Sequence, residues 1–325
     1  MNSKAIVRHL AVLLLFAFIA FPWGNAAANG GPRLGEPGMG ATLDKSGDET
    51  LQRMIREVAP KFRQLEYSAN GMSMRYSLFS PENPEPGKKY PLVLFIADAS
   101  TPGADVKSPL LQGYGGLVWA SPEAQAKNPC HVLVPQFSGV AVNDAYEHTP
   151  EADFLVSLLG AVVKENAVDA SRLYATGQSM GGMLAMYYNI KYPRLFAASL
   201  FVDCHWDRAG LDRLVERPFI MVYAGNSGKS RETGQAIEEA ARRMGRSYTW
   251  AEWSARLPLE RQDELAATQL EKGQPINLFG FEPGSVLPES GRGSEHMYSF
   301  DCAYRLAPAR NWLFGHALKP GNGKN

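Results

Sequence analysis

The chain has 325 residues, 45% of them hydrophobic and 20% charged, which is enough apolar material for one large α/β core without a second domain. Lys plus Arg and Asp plus Glu each number 33, so the net charge is zero, and no basic cluster of the kind that tracks phosphates occurs along the chain. A nucleic-acid binder is thereby excluded on charge, and the absence of any paired Cys/His spacing excludes a structural zinc module.

The N-terminus reads as a targeting segment, residues 1–28. Lys4 and Arg8 supply a positive start, Leu10 to Phe21 is an apolar run too short to span a bilayer comfortably, and Ala26-Ala27-Ala28 offers the small residues a signal peptidase needs. Cleavage is expected after Ala28, giving a secreted or periplasmic protein with no membrane attachment. Cys130, Cys204 and Cys302 are the only cysteines, and an oxidising compartment permits either one disulfide with one thiol left over or three free thiols. Sequence does not choose the pair.

Residues 29–60 read as a flexible Gly- and Pro-rich lead-in ending in a short helix over Glu49 to Val58, and residues 61–318 as the main domain. Phe62 to Ala69 and Met72 to Phe79 flank Asn70-Gly71, a strong signal for a two-residue hairpin. Leu92 to Ile96 and His131 to Val134 are continuous apolar runs of the kind found in buried parallel strands. Helical spacing over Ala152 to Glu165 follows. Further strands are expected at Ser171 to Thr176, Ala198 to Val202, Phe219 to Tyr223 and Ser247 to Trp253, with an amphipathic helix over Glu232 to Met244 and a closing helix from about Asp301 to Phe314. An antiparallel hairpin followed by strand–helix units predicts an α/β fold, a mostly parallel sheet with helices on both faces. Residues 257–293 break the alternation. They hold a predicted helix from Leu259 to Leu270 and a Gly- and Pro-containing stretch, and are expected to form a lid or side wall.

Between the Ser171 strand and the helix that begins near Gly182 lies Gly177-Gln178-Ser179-Met180-Gly181. A Gly-x-Ser-x-Gly pentapeptide between a strand and a helix is the requirement of a nucleophile elbow, in which a serine on a strained turn projects its hydroxyl. Ser179 is the candidate nucleophile. The N–H of Met180, at the helix start, faces negative charge developing on a substrate oxygen.

With the Pro91 to Ile96 strand, Val134-Pro135-Gln136, the Arg172 to Gly182 elbow and His296 before a closing helix in view, the chain from about Phe62 to Phe314 resembles the α/β-hydrolase superfamily. It is most similar to secreted esterases of the polyhydroxybutyrate-depolymerase and feruloyl-esterase type and to related hydrolases classed as peptidases. The resemblance implies a Ser–acid–His triad in that chain order, an acyl-enzyme mechanism and no cofactor. His296 matches the base. In such folds the acid follows the strand that here ends at Tyr223, but Ala224 to Ser230 contains no carboxylate. Asp203, after the preceding strand, and Glu232, slightly late, stand as equal candidates, while Asn226 has only hydrogen bonding to offer His296. The second oxyanion donor is expected from the N–H of Ala97 or Asp98, where many relatives carry His-Gly.

The expected activity is cleavage of a carboxylic ester, small or polymeric, with peptide or amide cleavage as the second reading and a non-catalytic binding protein on the same fold as the third. Tyr114, Trp119, Tyr146, His148 and Trp206 are aromatic candidates for pocket walls. Acyl and alcohol identity and oligomeric state are not legible.

Overall fold

The computed structural model describes residues 33–38, 40, 43–103 and 105–319. The expected signal segment and its cleavage site lie outside these residues. Nine strands form a single sheet: β1 (Arg63–Ala69), β2 (Met72–Phe79), β3 (Tyr90–Ile96), β4 (His131–Gln136), β5 (Val168–Gln178), β6 (Ala198–Val202), β7 (Phe219–Ala224), β8 (Tyr248–Trp253) and β9 (Ile276–Phe281). Their spatial order is β1-β2-β4-β3-β5-β6-β7-β9-β8. The β1–β2 and β2–β4 pairs are antiparallel, and every other pair is parallel. Asn70 and Gly71 join β1 to β2 with φ of 52° and 74°. Positive φ at both central positions is what a type I′ hairpin turn demands.

The helices are α1 (Glu49–Glu57), the short α2 (Ser108–Leu111), α3 (Tyr114–Leu117) and α4 (Pro122–Lys127), then α5 (Pro150–Glu165), α6 (Met180–Lys191), α7 (Leu211–Leu214), α8 (Gly228–Arg243), α9 (Leu259–Leu270), α10 (Glu295–Arg305) and α11 (Ala307–Leu313). Because side chains alternate along a strand, β3 sends Leu92, Leu94 and Ile96 to one face and Val93 and Phe95 to the other. The first set packs with α5, α6 and α8, and the second with α1, α3, α10 and α11. The sheet is therefore buried on both sides, which is why its central strands read as unbroken apolar runs.

Three expectations need correction. The 257–293 segment is more than a lid or side wall: the expected helix is α9, and after it comes an unexpected strand, β9, fully buried between β7 and β8. Asn277 and Gly280 dilute the apolar run of β9. Asn277 is buried because its side chain is hydrogen-bonded by Thr249 Oγ1 on β8 (2.9 Å), and Gly280 passes close to Glu252. The single closing helix is two, since Leu306 takes extended backbone and Ala307-Pro308 then opens α11. The lead-in is also tied down. Gly35, Gly38 and Gly40 donate N–H bonds to Val140 O, Pro102 O and Ser100 O, and a Cβ on Gly38 would lie 2.4 Å from Ser100 O. The segment then anchors through Lys45 to Asp301 (2.6 Å) and Asp48 to Tyr114 Oη (2.9 Å).

Cys130 and Cys204 are buried and Cys302 is half-buried, all as free thiols. Among the described residues there is no metal-ligating cluster and no helix long and apolar enough to cross a membrane.

Candidate active site

The site is assembled at the carboxyl ends of β5 and β6, neighbours at the centre of the sheet. The Ser179 N–H bonds to Val202 O at the end of β6 (3.0 Å), and the Asp203 N–H bonds to Val222 O on β7 (2.7 Å). Each residue thus leaves its strand one step beyond the ladder, a place where α/β sheets commonly gather ligands. Both bend sharply there, Ser179 with φ 50° and ψ −121°, Asp203 with φ 41°. Non-glycine residues in such regions cost about 1–3 kcal/mol each, and the surrounding structure holds them.

The glycines of the pentapeptide have steric causes. A Cβ on Gly177 would lie 2.3 Å from the Gly181 carbonyl carbon, and one on Gly181 would lie 2.0 Å from Ile96 O and 2.6 Å from Ala97 O. One on Gly182 would meet Cys204 Sγ at 2.6 Å. The start of α6 therefore lies directly on the backbone that leaves β3, so Met180 and the Ala97–Asp98 turn are neighbours. The Met180 N–H opens α6 and has no partner within the helix.

His296 is the second residue of α10 rather than part of a loop. Its Nε2 is 2.9 Å from Ser179 Oγ and its Nδ1 is 3.0 Å from Asp203 Oδ1. Asp203 is fully buried and amply satisfied. Ser227 Oγ donates to Oδ1, Ser299 Oγ to Oδ2 (2.6 Å) and the Ala224 N–H to Oδ2 (3.0 Å). Burial alone would lower the His296 pKa, but the hydrogen bond and charge of Asp203 outweigh it, so the imidazole titrates above its ordinary value. The ring packs edge-on against Phe300, centroids 5.0 Å apart.

Of the two acid candidates, only Asp203 reaches His296. Glu232 lies exposed on α8 and has no hydrogen bond to the histidine, because that helix turns its polar face outward. Asn226 does not bond to His296 either. It donates through Nδ2 to Glu295 Oε1 (2.7 Å), which also accepts from the Gly284 N–H (2.8 Å). Glu295 thus clamps the first turn of α10 and with it His296. Ser227, Ser299 and Glu295 were not anticipated. Two of them carry a sequence signal: Ser227 occupies the loop after β7, where the resemblance places the acid, and Ser299 lies one helical turn after His296.

Asp98 lines the cavity, but its carboxylate is engaged. Oδ1 accepts from the Ser100 N–H (2.7 Å) and Oδ2 from Gln178 Nε2 (2.9 Å). The cavity beside Ser179 has a volume of about 630 Å³. Its walls include Val142, Met183, Asp144, His205, Lys229 and Leu287. Asp144 accepts from Lys229 (2.7 Å) and faces His205 Nε2 (3.2 Å), linking the turn before α5 to the start of α8. None of the five aromatic candidates lines this cavity. Trp119 is core, Tyr114 bonds to Asp48, Tyr146 and Trp206 pack on each other, and His148 stacks on Tyr187. Leu287 and Gly293 are what the 257–293 segment contributes to the wall.

A hydroxyl, an imidazole and a buried carboxylate in this order can move a proton off the hydroxyl and hold the resulting imidazolium.

The model of the family described as Esterase PHB depolymerase matches residues 117–206, well under half the chain, a stretch that holds Ser179, Met180 and Asp203 but not His296. A thermostable esterase of known structure superposes with a TM-score of 0.65 at 21% identity, covering 80% of this chain and 64% of its own. The chain therefore spans less than two thirds of that relative's length. A ferulic acid esterase superposes with a TM-score of 0.51 at 13% identity, covering 78% of this chain and 99% of its own. No curated protein sequence matches. At these identities the likeness establishes the fold: this is an α/β-hydrolase fold.

Proposed function

We propose that this protein is an exported serine hydrolase that cleaves carboxylic esters through an acyl-enzyme on Ser179. The observation that carries the reading is the unbroken hydrogen-bond chain from Ser179 Oγ through His296 to Asp203 Oδ1, at 2.9 and 3.0 Å. It opens onto a cavity large enough for a substrate. The partial family match and the esterases that share the fold favour an ester as the scissile group.

In the reaction, Ser179 Oγ attacks the acyl carbon while His296 Nε2 takes the hydroxyl proton. The carbonyl oxygen becomes an oxyanion held by the Met180 N–H and by an N–H of the Ala97–Asp98 turn. Each such donor is worth roughly 10²–10³ in rate. His296 returns the proton to the departing alkoxide, the alcohol leaves, and the acyl group remains on Ser179. Water then enters, gives its proton to His296 and attacks the acyl carbon. The acid departs with Ser179 restored. Asp203 keeps the imidazole in the tautomer with a proton on Nδ1 and stabilises the imidazolium. No step calls for a cofactor.

Turnover of 4-nitrophenyl acetate by the purified protein, absent in Ser179→Ala, tests the reading. Matched anilides test amide cleavage, since His296 is also placed to protonate a leaving nitrogen. A folded protein that turns over neither leaves only the binding-protein reading. Export is tested by the mass of the protein recovered outside the cytoplasm, expected to begin at Asn29.

A further inference from the structure

The turn that leaves β3, residues 97–103, is held at both ends by its neighbours. At its start Ala97 lies against Gly181, where a Cβ would come 2.6 Å from Ala97 O. Its far side is held through backbone carbonyls. Ser100 O and Pro102 O accept from the Gly40 and Gly38 N–H groups of the lead-in. Gln136 Nε2 donates to Thr101 O and Gly103 O, at 2.9 Å each. Asp98 lies between these two fixed ends.

Asp98 and Gln178 are both buried, polar as they are. Asp98 Oδ1 accepts from the Ser100 N–H two residues on (2.7 Å), which closes the turn on itself. Oδ2 accepts from Nε2 of Gln178 (2.9 Å), the residue immediately before Ser179. Among the described residues, no other side-chain hydrogen bond joins this turn to the elbow. The Ser179 N–H is itself fixed to Val202 O, so the turn is tied to a part of the elbow that the sheet holds still. A carboxylate here has an electrostatic cost, because Asp98 lines the same cavity as Ser179, where an oxyanion must form. What the position uses is its two oxygens. A carboxylate is an acceptor-only group that can take one N–H from the turn and another from the elbow.

We infer that Asp98 is a positioning residue that, through Ser100 and Gln178, fixes the second oxyanion donor of the Ala97–Asp98 turn relative to Ser179. The donor must be aimed before charge develops, and a displacement of about 1 Å costs roughly 10² in rate. Such a donor acts in the transition state rather than on the bound ester, so its loss falls on kcat and not on KM. The bonds from Gly38, Gly40 and Gln136 do not involve the Asp98 side chain, so cutting the Gln178 link loosens the turn and leaves its anchors in place. The inference rests on the ester-cleaving reading for its meaning in catalysis, and on the two hydrogen bonds alone for the order of the turn.

The test separates the two. Gln178→Met removes the donor at similar side-chain length and leaves Asp98 and Ser100 in place. In this variant kcat for 4-nitrophenyl acetate should fall roughly ten- to a hundredfold, with KM within about twofold of wild type. Inhibition by a trifluoromethyl ketone, whose carbonyl carbon Ser179 Oγ attacks to give a hemiketal oxyanion, should weaken in proportion to kcat/KM. Hydrogen exchange of the 97–103 backbone, read by mass spectrometry, should quicken about tenfold or more, the effect of losing one hydrogen bond to a charged group. If Gln178→Met does not fold, Asp98→Ala/Gln178→Met, which removes both partners and leaves no carboxylate unpaired, should show the same losses. Unchanged kcat and inhibition in a folded variant overturn the inference. So does a raised KM with kcat unchanged, which would mark a residue that shapes the pocket, and so does unchanged exchange of the turn. A wild-type protein that neither turns over the ester nor binds the ketone would sink the hydrolase reading by itself, while the exchange rates still decide whether Asp98 holds the turn.

Discussion

Asp203 holds His296 Nδ1 at 3.0 Å from the end of β6, one strand earlier than the loop in which the acid was expected. The carboxylate reaches the histidine because Asp203 turns back at φ 41°, with its N–H tied to Val222 O. Asp203→Asn should keep the geometry and lose the charge. The expected cost is roughly 10⁴ in kcat, the loss known when an asparagine replaces a triad acid. Steady-state kinetics on a simple ester check it, and Glu232→Gln, measured alongside, should stay near wild type.

The position after β7 is filled by Ser227, whose hydroxyl donates to Asp203 Oδ1 and lies 3.3 Å from His296 Nδ1. A carboxylate placed there would point at the same ring nitrogen. The exchanged pair Asp203→Ser/Ser227→Asp should therefore recover at least about tenfold of the rate lost in Asp203→Ser alone, a change that follows the triad's dependence on its acid. Ser227→Asp by itself should lower the unfolding midpoint, because it sets a second carboxylate beside a buried one.

The pH dependence follows from the raised His296 pKa. The base must be neutral to act, so activity should rise with pH through a midpoint above the ordinary imidazole value of 6.5. In Asp203→Asn that midpoint should fall, since the hydrogen bond and charge that raise it are gone while burial, which lowers it, remains. Stability runs the other way. A raised folded-state pKa means the fold favours the proton, so this contribution is fully present below 6.5 and is lost as pH rises through the folded value. Urea unfolding between about pH 6 and pH 9 should show a slope of that sign that flattens in Asp203→Asn.

Gly182→Ala puts a methyl 2.6 Å from Sγ and 2.7 Å from Cβ of Cys204, a fully buried side chain. A loss of about 1–3 kcal/mol is expected from overpacking, measurable by denaturant unfolding. Cys204→Ala in the same chain should return part of it, since the clash is with that side chain.

What was legible beforehand was set by short-range chemistry. Asn70-Gly71 specifies its hairpin turn alone, and the steric demands of Gly177 and Gly181 sit within one pentapeptide. The acid was not legible, because choosing between Asp203 and Glu232 depends on which strand end faces α10 and on which side α8 turns to solvent. Those are facts of tertiary packing. β9 is not legible for a related reason: Asn277 looks polar in sequence, and its side chain is satisfied by Thr249 on the neighbouring strand and by the Gln274 carbonyl. The lead-in reads as flexible by composition, yet its glycines permit close approach to the Ser100–Pro102 backbone.

The most direct test of the central claim is peptide mapping by mass spectrometry after treatment with a fluorophosphonate. The account predicts one phosphonyl adduct, on Ser179, that is lost in Ser179→Ala and in His296→Ala. A folded protein that takes up no probe, or that carries the adduct elsewhere, would contradict it.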